Sequence, residues 1–253
     1  MATQLVHCSI VGPVATITLD SPTNRNALSR ALVADLHTAL DTVEQSAVRV
    51  IVVGHTGPTF CAGADLKERL AGPVDSTPMV RAFRRLMDAP QATIAALTGG
   101  VRAGGVGLMA SCDLVVVPPT VDFAFTEVRI GAVPAIISVP ILRRCPPAKL
   151  VAAYLTGNAF SAAHALEIGL VSHVTDDVAA TVKQLVAALL KSAPAAVTAT
   201  KGLLRAVPDM AVDEAFAAMQ QLSEEMFAGA EAAEGMDAFL AKRTPSWAPA
   251  TQL

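Results

Sequence analysis

Residues 102–113, RAGGVGLMASCD, hold the first pattern in this chain that could do chemistry. Gly105, Gly107 and Ala110 fit G-x-G-x-x-A, and Glu127 follows Gly107 by twenty residues, where a dinucleotide fold would put its ribose-binding acid. Alternatively, the glycines let backbone N–H groups come close to some other ligand. Geometry argues against the dinucleotide. Its fingerprint needs a strand ending at the first glycine and a full helix after the last. Here the preceding apolar strand, residues 92–97, ends eight residues before Gly105, and the next one starts about six residues after Gly107. A crossover helix needs about ten residues or more. The chain contains no Gly-Lys-Ser/Thr, so a phosphate loop is disfavoured too.

A second turn resembles the first. The apolar residues 50–53 lead through Gly54 and Gly57-Pro58 into residues 60–65, FCAGAD. Both regions run strand, small-residue turn, helix start. The first N–H groups of a helix lack intrahelical acceptors, and two of them converging on one point would stabilise a developing oxyanion. Spacing alone equally allows two tight turns without chemistry. Glu127 lies between the apolar residues 123–126 and a further apolar stretch. Burial there would raise its pKa toward general acid–base use, whereas a surface position on a loop would leave it idle.

These residues need a frame, and the first two thirds of the chain supply alternating strands and helices. Strands are expected at 14–19, 48–53, 92–97, 113–117 and 122–126. Ser29 is expected to cap a helix that buries Leu32, Val33, Leu36, Leu40 and Val43. Further helices are expected from within residues 60–70, at 79–87 and, briefly, at 104–111, with a loop at 72–78. After a helix capped by Ser161 and ended at Gly169, the chain turns helical, at 176–191, 194–204, 210–227 and 235–242. A composition shift near Pro194 divides an expected core, residues 1–193, from a helical region, 194–253.

Composition removes several function classes. With 53% hydrophobic and 16% charged residues in 253, the chain can bury a large core and is not disordered. A net charge of −3 offers no basic footprint, so no nucleic-acid partner is expected. Mean hydropathy is positive, at +0.49, yet the longest uncharged apolar run, residues 130–142, carries Pro134 and Pro140 and is too short to span a bilayer. No membrane partner is expected, and the surplus apolar surface points to contacts between subunits. The start, MATQLVHCSIVG, lacks a secretion pattern, so a cytoplasmic protein is expected. Cys8, Cys61, Cys112 and Cys145 form no C-x-x-C pair, and five scattered histidines form no cluster, so no metal site is expected and buried free thiols are. His173 is expected to end a strand.

Several segments carry a family resemblance. FCAGADLKE (60–68), IAALTGGVRAGGVGLMASCDLVV (94–116) and FAFTEVRIGAVP (123–134) resemble, in order, the three signatures of the crotonase, or enoyl-CoA hydratase/isomerase, superfamily. NRNAL (24–28), TGNAFSAAHALEIGLVSHV (156–174) and AAEGMDAFLAKR (232–243) are similar to its early and late segments. The resemblance implies an α/β fold, the crotonase-like (ClpP/crotonase) spiral of ββα repeats with a C-terminal helical trimerisation region. It also implies a homo-oligomer, a trimer or a dimer of trimers, that binds acyl-CoA thioesters. Coenzyme A would enter as part of the substrate, without a separate cofactor. By position the resemblance assigns the thioester oxygen to the N–H groups of Ala64 and Gly104, and acid–base work to Glu127. It assigns CoA contacts to Arg25, Asn26, Ala27, Ala62, Asp65, Leu66 and Lys67, with Phe239 and Lys242 reaching CoA from a neighbouring subunit.

One departure matters. Two-acid hydratases of this family carry a second Glu where this chain has Gly107. A single Glu fits hydration of a 2-enoyl-CoA from one face, the reading preferred here. It also fits Δ3,Δ2-enoyl-CoA isomerisation, and the missing acid allows a non-catalytic acyl-CoA-binding paralogue. Ala135, Ile136 and Ile137 stand where glycines are common in the family and should reshape the pocket wall. Arg102 and Arg129 are the nearest cations that could pair with a substrate carboxylate, although structural or surface positions are the favoured reading for both.

Overall fold

In the computed structural model, which describes residues 4–249, strands and helices alternate through two thirds of the chain. The elements are β1 (Val6–Val11), β2 (Val14–Leu19), α1 (Arg30–Glu44), β3 (Val50–His55), β4 (Thr59–Cys61), α2 (Leu66–Ala71), α3 (Thr77–Asp88), β5 (Ala92–Ala96), β6 (Gly100–Arg102), α4 (Gly104–Ala110), β7 (Leu114–Val117) and β8 (Asp122–Ala124). They continue with α5 (Ala135–Leu142), α6 (Pro147–Thr156), β9 (Phe160–Ser161), α7 (Ala162–Glu167), β10 (His173–Val174), α8 (Val178–Leu190), α9 (Pro194–Ala206), α10 (Val212–Phe227) and α11 (Ala230–Leu240).

Two sheets share the strands. One runs β1-β2-β3-β5-β7-β10 and the other β4-β6-β8-β9. Successive strand pairs β3/β4, β5/β6 and β7/β8 each give one strand to each sheet before the chain turns into helix. This is the ββα spiral of the crotonase fold. Because β4, β6 and β8 are parallel neighbours, the turns that leave their C-terminal ends lie side by side.

Local chemistry accounts for the frame. In β2 the alternation buries Ala15, Ile17 and Leu19. The Ser29 hydroxyl caps α1 by accepting from Leu32 N–H at 3.2 Å, and the helix buries Leu32, Val33, Leu36, Ala39, Leu40 and Val43. Ser161 likewise caps α7 through His164 N–H. All seven residues of α4 are buried, which explains why its sequence is small and uncharged.

Several expectations need correction. His173 opens β10, paired with Val116, rather than ending a strand. The strand expected at 122–126 stops at Ala124, and Thr126–Ile130 is a 3-10 turn. Residues 135–142 of the apolar run are helix, with Pro140 inside it. β1, β4, β6, β9 and α6 have no counterpart among the expected elements.

The chain forms two compact units: residues up to Ala89 together with Thr93–Val182, and Pro90–Ala92 together with the chain from Lys183 onward. Composition had put the change at Pro194. In the second unit, Arg243 pairs with Glu234 and Asp237, and Trp247 Nε1–H donates to the Lys191 carbonyl at 3.1 Å. That unit leaves Leu204, Phe216, Phe227, Phe239 and Leu240 largely exposed. Among the described residues no helix is long and apolar enough to cross a membrane, and no group of three His, Cys, Asp or Glu could hold a metal ion.

Candidate active site

The turns after β4 and β6 meet closely. A Cβ built on Gly63 would stand 2.7 Å from Ala103 Cβ and 3.2 Å from the Gly104 nitrogen, so only glycine allows this approach, at φ +92. A Cβ built on Gly104 would stand 3.6 Å from the Ala64 nitrogen. Neighbouring backbone groups are spoken for. Ala62 N–H donates to the Arg25 carbonyl at 3.0 Å, Leu28 N–H to Gly63 at 2.7 Å and Ala103 N–H to Ala124 at 2.9 Å. The N–H groups of Ala64 and Gly104 have no acceptor among the described residues. Ala103, which sequence reasoning passed over, sits at φ 47, ψ −122, a conformation that costs a non-glycine residue about 1–3 kcal/mol. The strain lies one residue before Gly104, in the peptide that carries its N–H.

Both turns open on a cavity of about 540 Å³. Ala62, Ala64, Ala103 and Gly104 line one side, with Leu66 and Arg69 of α2 and Met79 of α3. The lining continues with Glu127 and Ile130 of the 3-10 turn, Val133, and Ala135, Ile136 and Ile137 of α5. β8 delivers Glu127 to this wall, and β6 lies beside β8. The Glu127 Oε2 is buried without a hydrogen-bond partner, and the side chain forms no ion pair among the described residues. Burial pushes its carboxyl pKa above the usual carboxylate range. Two free main-chain donors and a desolvated carboxylate on one cavity can polarise a carbonyl and move a proton beside it.

Of the expected site residues, the cavity brings together Ala62, Ala64, Leu66, Gly104 and Glu127. Asn26 is placed otherwise. It is fully buried, its Oδ1 accepts from Ser21 N–H at 2.6 Å, and its Nδ2 donates to the Thr56 and Thr59 carbonyls at 3.1 and 2.9 Å. That amide pins the chain around β4 and has no surface to offer a ligand. Ala27 is buried as well. Asp65 spends its carboxylate capping α2, accepting from Lys67 N–H at 2.9 Å and from Glu68 N–H at 3.4 Å. Arg25 and Lys67 are exposed and lie outside the cavity lining. Phe239 and Lys242 belong to the second unit, Phe239 exposed on α11 and Lys242 just beyond it at φ 52.

The two suggested cations are also engaged. Arg102 pairs with Asp122 at 2.8 Å and donates to the Val101 carbonyl. Arg129 lines the cavity, but it donates to the Thr156 carbonyl and to Asn158 Oδ1. Cys61, behind the first turn, has its thiol pushed up to about 12 by burial and is inert at neutral pH.

Position 107 is filled rather than vacant. A Cβ built on Gly107 would lie 2.6 Å from Ile137 Cγ2, 2.8 Å from Ile137 Cβ and 2.9 Å from Phe83 Cε2. The expectation that Ile137 reshapes the wall thus gains a location. Phe83 went unnoticed because its sequence context reads as ordinary helix core.

Comparisons with known proteins agree with this architecture. The sequence profile described as enoyl-CoA hydratase/isomerase matches residues 10–250. A mevalonyl-coenzyme A hydratase of Aspergillus fumigatus is 34% identical, over 92% of this chain and 90% of its own. The crystal structure of an enoyl-CoA hydratase from Mycobacterium smegmatis superposes with a TM-score of 0.90 at 29% identity, covering 96% of this chain and 98% of that one. One from Mycobacterium avium is 42% identical, with a TM-score of 0.73, over 97% of this chain and 100% of its own. With a matching profile across nearly its whole length and relatives covered almost end to end, the chain belongs to the enoyl-CoA hydratase/isomerase family.

Proposed function

We propose that this protein hydrates a 2-enoyl-CoA thioester, with Glu127 as the single acid–base residue and the Ala64 and Gly104 N–H groups as the oxyanion hole. The carrying observation is the buried Glu127 Oε2, without a hydrogen-bond partner, on the same cavity as two free main-chain donors. Glu127 takes a proton from water as the water oxygen bonds to C3. The C2=C3 electron pair moves through the carbonyl carbon onto the thioester oxygen, where the two N–H groups meet the developing charge. Glu127 then returns its proton to C2, and the carbonyl reforms. Coenzyme A serves as the carrier half of the substrate. The exposed apolar residues of the second unit support assembly into a trimer or a dimer of trimers.

A second reading, migration of a double bond between C3 and C2, is favoured by the filled space at Gly107, because one carboxylate suffices to carry a proton between two carbons. The experiment is a panel of 2-enoyl- and 3-enoyl-CoA thioesters followed by mass spectrometry. Hydration adds one water to the product mass, and isomerisation leaves the mass unchanged. Full turnover by Glu127→Gln would remove Glu127 from either mechanism. A wild-type protein that binds these thioesters and converts none of them is a non-catalytic acyl-CoA binder.

A further inference from the structure

Charge is sparse on the cavity wall. Arg69, Glu127 and Arg129 are its only charged residues among those described. Two cations therefore accompany one carboxylate, because Ile137 and Phe83 occupy the space that a second acid at position 107 would need. Arg129 is tied through Nε–H to the Thr156 carbonyl and through Nη2 to Asn158 Oδ1, on the 3-10 turn that also carries Glu127. Arg69 is placed differently. It projects from α2 at the cavity lip, where Nη1 donates to the Val74 carbonyl at 3.3 Å and Nη2 to Ser76 Oγ at 3.0 Å. Both partners are neutral, and Arg69 forms no ion pair among the described residues. A guanidinium has five N–H donors, so these contacts orient the group and leave Nε–H and one hydrogen on each Nη free. Its charge is uncompensated, and its planar fork matches a carboxylate.

We propose that Arg69 recognises an anionic group of the substrate, and that the preferred substrates are acyl thioesters whose acyl portion itself bears a carboxylate. The inference rests on the acyl-CoA reading above. Such a substrate meets the Arg69 guanidinium on entering a cavity lined mostly by apolar residues. It also faces a single like charge, Glu127, instead of two. The phosphates of coenzyme A are the other source of the same anionic chemistry, and substrate design separates the two.

The test uses wild type, Arg69→Met and Arg69→Lys. The substrates are matched 2-enoyl thioesters: the monothioester of an unsaturated dicarboxylic acid and its methyl ester. Each is made as the CoA thioester and as the pantetheine thioester, which has no phosphate. Wild type should prefer the acid over the ester by about tenfold in kcat/KM in both series, the scale of one charge-assisted hydrogen bond. Arg69→Met should erase that preference through KM, and Arg69→Lys should restore part of it. Equal losses for acid and ester in the CoA series, with none in the pantetheine series, would mean a phosphate contact and overturn the proposal. Equal kcat losses across all four substrates would reduce Arg69 to holding the 72–76 loop and overturn it as well. Turnover by wild type without preference for the acid overturns this inference alone. If wild type neither turns over nor binds any thioester, by calorimetry with the saturated analogues, the acyl-CoA reading falls and this inference with it.

Discussion

Adding a methyl group at position 107 probes how the cavity wall is built. In Gly107→Ala the new carbon would start 2.6 Å from Ile137 Cγ2 and 2.9 Å from Phe83 Cε2, against an optimal carbon–carbon separation of about 3.5–4.0 Å. Ile137 and Phe83 are each only 3% exposed, so neither can swing into solvent. Overpacking of this kind costs about 1–3 kcal/mol. Alanine's preference for helix over glycine offsets about 1 kcal/mol, because Gly107 lies within α4. The expected net loss is about 0–2 kcal/mol. Ile137→Ala alone should lose about 2–5 kcal/mol, toward the lower end because one flank of Ile137 opens on the cavity. Together the two changes relieve each other, since the added methyl moves into the vacated volume. Their combined loss should fall short of the sum by about 1–2 kcal/mol. Urea midpoints of the four proteins, at constant m, measure this coupling. Additivity within about 0.5 kcal/mol would refute the contact. Gly107→Glu meets the same wall with a longer, charged side chain, so it should lose more stability than Gly107→Ala and gain no hydration rate. A Gly107→Glu protein with wild-type stability and faster hydration would refute the reasoning altogether.

Three further outcomes are expected. Burial raises the Glu127 pKa in the folded state, so the stability this group supports is full below its unfolded value, about 4.3, and is lost as pH rises through the folded value. Glu127→Gln should therefore melt higher than wild type at pH 7, lose that advantage below about pH 4, and turn over about 10²–10⁴ more slowly. Equal melting temperatures at both pH values would contradict the desolvation. Asn26→Ala orphans Ser21 N–H at about 1–3 kcal/mol and removes a donor from the Thr59 and Thr56 carbonyls, the latter keeping His55 Nδ1, so it should lose about 2 kcal/mol or more in urea while KM for acyl-CoA changes little. A large KM increase without loss of stability would return Asn26 to the ligand. Asp65→Ala removes the cap of α2 and should cost about 1 kcal/mol, with Asp65→Asn retaining most of it in the same melts.

Much of this arrangement could be read from the residues. The alternation in residues 14–19, the caps at Ser29 and Ser161 and the apolar face of α1 all express local preferences that packing did not override. Ala62, Ala64, Gly104 and Glu127 line the cavity; the family resemblance singled them out, since spacing alone left two tight turns and a surface acid open. The strands that position them were harder to find. β4 and β6 have three residues each, too few to show a period of two, and they exist because parallel neighbours pair with them. β1 buries only Val6, so its exposed residues hide the alternation. α6 did carry signals, Pro147 in its first turn and Gly157 in the left-handed cap, which were passed over beside the uninterpretable apolar run. The side chains of Asn26 and Asp65 tie their turns together, and the sequence does not announce it. A polar residue near a ligand-binding turn looks the same in sequence whether it faces the ligand or ties the turn.

The meeting of the two turns has a consequence for how such a protein changes over generations. On the proposed function the donors at Ala64 and Gly104 are main-chain atoms, so no substitution other than proline removes the N–H itself. The carboxylate proposed to carry the proton, in contrast, is one codon away from loss. If the two N–H groups form the proposed oxyanion hole, such a chain can exchange its reaction while keeping its hold on the thioester carbonyl. In directed evolution it is a forgiving parent: libraries at positions 107, 127 and 137 would sample new chemistry over a polarising device that the mutagenesis leaves intact.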